Sequence, residues 1–172
     1  MTQPTWQSRL QRLRVPLGFV CAAVGIPLAR PDISSLLLGG AIAVVGEALR
    51  VWASGHLEKG REVTRSGPYR FVRHPLYLGS AVIGVGFMIA ARSFWLALLV
   101  SAYLLATMLP AIWREEASLD EKFGGEYSAY RDGRAAPVDR AFSFARLRAN
   151  EEYRAIAGLI VGFGLLYLRS RI

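Results

Sequence analysis

Ser66-Gly67-Pro68-Tyr69-Arg70-Phe71-Val72-Arg73-His74-Pro75-Leu76-Tyr77-Leu78-Gly79 is a polar, aromatic and basic stretch set between long apolar runs. It holds one of the two histidines and two of the eight prolines. Proline biases the residue before it away from helix, so His74 marks a break. Pro75 then opens a helix at the first position, where its missing N–H costs nothing. Free backbone amides at such a start, with Arg73 beside them, attract a carboxylate or a phosphate. Tyr69 precedes the break and Tyr77 follows it. The result reads as a rigid pocket rim at a membrane surface. The same residue types also make an interfacial anchor, and the stretch alone leaves both readings open.

The membrane reading comes from the composition around it. Of 172 residues 53% are hydrophobic and only 20% are charged, and the apolar residues fall in blocks. That pattern belongs to a polytopic membrane protein. The formal net charge is +8, with 21 basic and 13 acidic residues. The bases lie in the connections between apolar runs, where they act as topology signals facing anionic headgroups rather than as a nucleic-acid surface. Cys21 is the single cysteine, so no disulfide forms within the chain and no cysteine zinc site is available.

Residues 1–14 read as an interfacial helix, with Trp6, Leu10 and Leu13 sharing a face. The next run, 15–29, follows too long a polar lead, without a clear cleavage site, to be a signal peptide, and it is expected to stay as a helix. It is short for a span of ~20 residues. Arg30-Pro31-Asp32 makes a tight turn, and 33–53 is long enough to span. Glu47 and Arg50 stand at i and i+3 near its end, either as a structural ion pair or facing a cofactor. Residues 54–75 are a basic connection, 76–91 a third run, Arg92-Ser93 a hairpin turn and 94–113 a fourth run. Trp95 and Trp113 sit where an aromatic belt places them. Pro110 is expected to bend or loosen the end of this run.

Residues 114–150 form a second basic connection, so both large connections and the N-terminus are expected on the cytoplasmic side. Within it, Ala117, Leu119 and Phe123 with Tyr127 and Tyr130 suit an apolar and aromatic stripe on the membrane surface, broken at Gly124-Gly125. Residues 155–168 make a fifth, short apolar run. The fold class is therefore all-α: a polytopic integral membrane protein of about five transmembrane helices with a cytoplasmic catalytic segment. The chain reads as one domain over 1–172, with a core at about 40–135 and an extra apolar helix at about 153–168.

A second chemical site is Glu115-Glu116. Adjacent helical residues point about 100° apart, so one acid faces a pocket while the other pairs with a base or meets solvent. Such a carboxylate suits an ammonium or a ribose hydroxyl. No metal site is expected, because His56 and His74 lack ligand-spaced partners. Gly-x-Ser-x-Gly, phosphate-loop and dinucleotide glycine patterns are absent.

The ordered set from Gly67 to Gly79, then Glu115-Glu116, then Phe123-Gly124-Gly125-Glu126-Tyr127-Ser128-Ala129-Tyr130-Arg131 resembles the isoprenylcysteine carboxyl methyltransferase family, within a wider group that includes phospholipid N-methyltransferases. Leu49-Arg50 and Trp52 fit the family's preceding helix. The resemblance implies a methyltransferase using S-adenosyl-L-methionine, with S-adenosyl-L-homocysteine as product, and a lipophilic small-molecule or lipid acceptor reaching it from the bilayer. It implies that Val63, Thr64, Tyr69, Arg73, His74, Pro75, Tyr77 and Glu115 bind the cofactor, and it puts Glu116 and Arg131 forward as catalytic residues. Where protein-methylating eukaryotic members carry a substrate-holding arginine, this chain has Ala111; Arg114, Arg131 and Arg134 are the candidate substitutes. The implied location is a bacterial inner membrane. Phospholipid amine methylation, a non-catalytic scaffold, and a membrane reductase using a nicotinamide cofactor are the alternative readings.

Overall fold

The computed structural model describes residues 5–172, with side chains from residue 16 onward. The proposed interfacial face of Trp6, Leu10 and Leu13 lies outside the described side chains. Seven α-helices and one short 3-10 turn follow in order, and no strand occurs among the described residues. The helices are α1 (Thr5–Leu28), α2 (Ile33–His56), α3 (Pro75–Ala91), α4 (Phe94–Phe123), α5 (Gly125–Arg131), α6 (Phe144–Ala149) and α7 (Tyr153–Arg169), and the 3-10 turn is Gly67–Arg70.

Local chemistry sets the boundaries. Asp32 caps α2 by accepting from the Ser35 N–H while Ser35 Oγ accepts from the Asp32 N–H, a reciprocal box worth about 1 kcal/mol. Arg92 takes a left-handed conformation to end α3, and Ser93 caps α4. These two turns meet at one end of the bundle. The Arg30 N–H donates to Ala91 C=O at 2.8 Å, Ser35 Oγ donates to Ala90 C=O at 3.0 Å, and Arg92 pairs with Asp32. Both large polar connections therefore lie at the other end.

Helices α2 and α3 form the closest pair. A Cβ on Gly46 would stand 2.7 Å from the Gly79 carbonyl oxygen, and one on Gly39 would stand 2.4 Å from that of Gly86. The two contacts lie two turns apart on each helix, so the antiparallel backbones touch along a glycine seam. The outer faces are apolar: Leu37, Val44 and Val45 on α2, Leu98 and Leu105 on α4, and Ile160 and Val161 on α7 are all exposed.

Two helices, α2 and α4, are long and apolar enough to cross a membrane. The 16–28 part of α1 and the whole of α3 are shorter apolar helices, and α7 has 17 residues, so the expected five spans are not all matched by length. Trp95 and Trp113 are 66% and 58% exposed on α4, separated by ~27 Å of helix rise against ~30 Å of hydrocarbon core. Pro110 lies inside α4. Helix α4 continues unbroken to Phe123 and carries the Glu-Glu pair on the same rod as the apolar stretch. The break comes at Gly124, whose φ of 44° suits a residue without a Cβ.

Candidate functional site

The chain before α3 is shaped by two buried groups. Gly67 adopts a φ of 55°, and a Cβ there would stand 2.6 Å from the His56 ring. His56 is buried at the end of α2, with Nδ1 3.3 Å from Ser66 Oγ and its ring edge-on to Phe142. It is a structural residue that seats the loop. His74 takes the cap position of α3 with a non-helical backbone, and Pro75 is the first helical residue, as expected from the sequence.

The two polar patches meet. His74 Nε2 donates to Glu116 Oε1 at 2.9 Å, and Arg73 Nη1 donates to the same oxygen at 3.2 Å. Glu116 lies past the apolar part of α4. The His74 hydrogen bond holds its carboxyl below the usual value against the opposing effect of burial, and the nearby charges of His74 and Arg73 assist. Glu115, one residue earlier, points about 100° away and lines a cavity of about 630 Å³.

That cavity is walled by five segments: the end of α2, the first polar connection, the α3 start, the 111–119 part of α4, and the later chain from Tyr127 to Glu152. Val63, Thr64, Tyr69, Arg73, His74, Pro75, Tyr77 and Glu115 all line it. Glu116 does not; it is spent on holding His74 and Arg73 behind the wall. Arg131 is not brought to the cavity either. It stands half-exposed on α5 with Nε 3.7 Å from Asp132. Ala111 and Arg114 are both in the wall, and Arg134 instead pairs with Asp132 at 2.7 Å.

The expected surface stripe is also corrected. Leu119, Tyr127 and Tyr130 line the cavity instead of a membrane surface, because the turn at Gly124 swings α5 back over the site. Tyr130 Oη donates to Tyr69 C=O at 2.9 Å. Burial pushes both the Tyr127 and Tyr130 phenols up to about 12. Burial and the Glu115 charge raise Tyr69 as well. All three are neutral at physiological pH, so they supply rings and hydroxyls rather than bases. Tyr127 Oη lies close enough to feel the Glu116 charge, though without a hydrogen bond of ordinary geometry.

The resemblance implies a pocket closed by the cytoplasmic C-terminal segment, and the sequence reading did not say which of its residues take part. Residues 138–152 form a strap that runs back along the first polar connection. The Val138 N–H donates to Arg65 C=O at 3.3 Å, Arg140 pairs with Glu62 at 2.7 Å, and the Ser143 N–H donates to Gly55 C=O at 3.1 Å. Asn150 Nδ2 donates to the Ser54 and Leu57 carbonyls at 3.0 and 3.1 Å. Glu152, 3% exposed, accepts from Arg50 Nε at 2.7 Å, while Arg50 Nη1 donates to Ser80 Oγ at 2.6 Å. Arg50, Asn150 and Glu152 all line the cavity. Glu47 lies behind them, buried, with Oε2 3.8 Å from Arg50 Nε and no hydrogen bond on either oxygen. A signal for Glu152 did exist: of the Glu151-Glu152 pair before an apolar helix, Glu151 has Arg154 at i+3, which leaves Glu152 in need of a cation, and Arg50 near the end of another apolar helix has the matching need.

Among the described residues, no group of three or more His, Cys, Asp or Glu side chains is placed to hold a metal ion. Among the described residues, two helices long and apolar enough to cross a membrane carry a mixed-charge cavity at their polar end, an arrangement that suggests membrane association. The phospholipid methyltransferase family matches residues 40–126, just over half of the chain, and the chain belongs to that family. The chain is also similar to the nickel-cobalt-cadmium resistance protein NccN of Alcaligenes xylosoxydans xylosoxydans, 34% identical over 96 residues. That match covers 55% of this chain and 43% of the relative, so the chain aligns with less than half of the relative's length. No solved structure matches the chain.

Proposed function

We propose that this chain is an integral membrane methyltransferase that uses S-adenosyl-L-methionine to methylate a lipophilic acceptor, in the manner of isoprenylcysteine carboxyl methyltransferases. The observation that carries the reading is the single cavity into which the Gly67–Gly79 stretch, Glu115 and the C-terminal strap converge. Its volume of about 630 Å³ falls within the ~300–1,000 Å³ of small-molecule sites.

The donor set fits the cofactor in kind. Arg73 and Lys59 with the amides at the start of α3 suit a carboxylate, and Glu115 suits an ammonium. Tyr69, Tyr77 and Tyr130 offer ring faces for a base or sugar. When bound, the cofactor supplies an electrophilic methyl group on a sulfonium. The chain's own work is then to bind, align and exclude water, since an in-line displacement needs neither a covalent nucleophile nor a metal. His74 and Arg73 are held in place by Glu116, which acts as a positioning residue. The strap over 138–152 packs along the first polar connection and gives Asn150 and Glu152 to the cavity wall. Residues 33–56 and 94–113 span the bilayer in this reading, the shorter apolar helices complete the bundle, and the polar connections face the cytoplasm.

Two acceptor chemistries follow from the family. A carboxylate acceptor is already ionised and needs no base. A phospholipid amine must first lose a proton. The family match is common to both chemistries, and Ala111 stands where protein-methylating members carry a substrate-holding arginine. The test is transfer of a radiolabelled methyl group from S-adenosyl-L-methionine into organic-extractable material by purified protein. Phosphatidylethanolamine and a prenylcysteine analogue are offered side by side. Label on either, lost in His74→Ala, supports the reading, and label on neither by folded protein in lipid contradicts it.

A further inference from the structure

Helix α6 packs on the end of α2, and its two faces differ. The inner face is spent on α2. Arg146 Nε and the Ser143 N–H both donate to Gly55 C=O, at 2.8 and 3.1 Å, and Asn150 Nδ2 takes the Ser54 and Leu57 carbonyls. These donors satisfy carbonyls that the end of a helix leaves without partners. Phe142 packs against Gly55 and edge-on to His56. The outer face carries Phe144, Ala145, Arg148 and Ala149, all exposed. Phe144 is 79% exposed, and its ring meets Phe142 edge-on. Arg148 has no ion pair among the described residues, whereas Arg154 is held by Glu151 at 2.8 Å. The two ends of α6 set its level. One joins the end of α2, a helix long and apolar enough to span, and the other hands the chain to apolar α7 at Tyr153. Trp52 near the end of α2 and Tyr153 at the start of α7 are exposed rings of the kind that gather at a membrane–water boundary.

We propose that the outer face of α6 rests on the phospholipid leaflet at the polar end of the bundle, with Phe144 set among the headgroups and Arg148 paired with an anionic lipid. The proposal rests on the reading that α2 and α4 span the bilayer, and it is independent of the reaction the cavity performs. An open ring beside an unpaired guanidinium, on a face that carries no acid, suits an anionic leaflet in both parts. The ring gains at the headgroup–acyl boundary, and the cation gains from the negative surface. A soluble anion would use Arg148 and leave Phe144 in water. The contact also reaches the site, because α6 leads directly to Asn150 and Glu152 of the cavity wall. The membrane-surface stripe expected over 117–130, which the turn at Gly124 sends inward, thus has its counterpart in Phe144 and Arg148.

The test uses the full chain with Cys21→Ser and one labelled cysteine, in nanodiscs of equal parts phosphatidylcholine and phosphatidylglycerol. Nitroxides on Ala145→Cys and Ala149→Cys report the face. Leu98→Cys, exposed on the apolar part of α4, marks the hydrocarbon. Glu121→Cys, exposed ~12 Å of helix rise past Trp113, marks water. Collision rates with oxygen, which partitions into lipid, and with a water-soluble nickel chelate should place both α6 labels between the two markers. Phe144→Ser with Arg148→Gln, in protein of unchanged melting temperature, should return the Ala149 label to the Glu121 value. Energy transfer from a dye at Ala149 to acyl-labelled phosphatidylglycerol, against acyl-labelled phosphatidylcholine, should show about fivefold enrichment, the worth of one arginine near an anionic surface. Arg148→Gln should remove that enrichment. Equal transfer to the two lipids, or α6 labels as open to the chelate as Glu121 while Leu98 lies in hydrocarbon, would overturn this contact alone. Leu98 in water as well would overturn the spanning reading and the contact with it. Shielding that persists in detergent and grows with protein concentration would give the face to a second copy of the chain, and would also overturn the proposal.

Discussion

The His74 imidazole donates to the Glu116 carboxylate at 2.9 Å, joining the break before α3 to the polar end of α4 across 42 positions of chain. This bond divides the labour of the two glutamates. Glu116 faces the wall and positions His74 and Arg73, and Glu115 is left facing the cavity.

The two acids should therefore separate on mutation. Glu115→Gln is expected to weaken S-adenosylhomocysteine binding by ~10–100-fold, the worth of a charge-assisted hydrogen bond of ~1.5–3 kcal/mol. Glu116→Gln keeps an acceptor for His74 and should cost less. Arg131→Ala, on an exposed face of α5, should change stability by no more than about 0.5 kcal/mol and leave affinity unchanged. Titration calorimetry of the three variants checks the order. A larger loss for Arg131→Ala than for Glu115→Gln would reverse the assignment.

The same bond gives an acid-side dependence. The His74 hydrogen bond lowers the Glu116 carboxyl below its ordinary 4.5, so its contribution to stability is present above that value. It is lost as pH falls through the lowered value. Thermal melts from neutral to acid pH should show a steeper acid-side decline for the wild type than for Glu116→Gln. Parallel declines would mean that the pair adds nothing to the fold.

Arg50 stands between two acids, Glu152 at 2.7 Å and Glu47 at 3.8 Å. Arg50→Ala strands both carboxylates and should cost ~3–5 kcal/mol, as breaking a buried pair does. Glu152→Ala leaves Arg50 with Glu47 still beside it and should cost less. Denaturant unfolding in detergent reads the order, and equal losses would show that Glu47 does not take up the charge.

The glycine seam between α2 and α3 gives a prediction independent of the site. Gly46→Val would place side-chain atoms against the Gly79 carbonyl and Ile83, and should destabilise by ~1–3 kcal/mol or more. Gly158→Val, at a position with open space around it on α7, is the control and should cost less. A melting temperature unchanged in Gly46→Val would contradict the close α2–α3 packing.

Much of this was legible in the sequence because it rests on local chemistry. Pro75 after His74 fixes a helix start, Gly124 fixes a break, and apolar runs fix helices. What was not legible depends on rotation and on distant partners. Choosing Glu115 over Glu116 needs the rotation of α4 about its axis, which adjacent residues cannot reveal. Tyr127 and Tyr130 have the pattern of a surface stripe, and only the turn at Gly124 sends them inward. Glu152 meets Arg50 across 102 positions, a pairing no local pattern encodes.

The most direct test of the central claim is calorimetric binding of S-adenosylhomocysteine to detergent-purified protein, beside His74→Ala of matched melting temperature. The account predicts saturable binding in the wild type and its loss in the variant. No binding by folded, monodisperse wild-type protein, with or without added lipid, would contradict it.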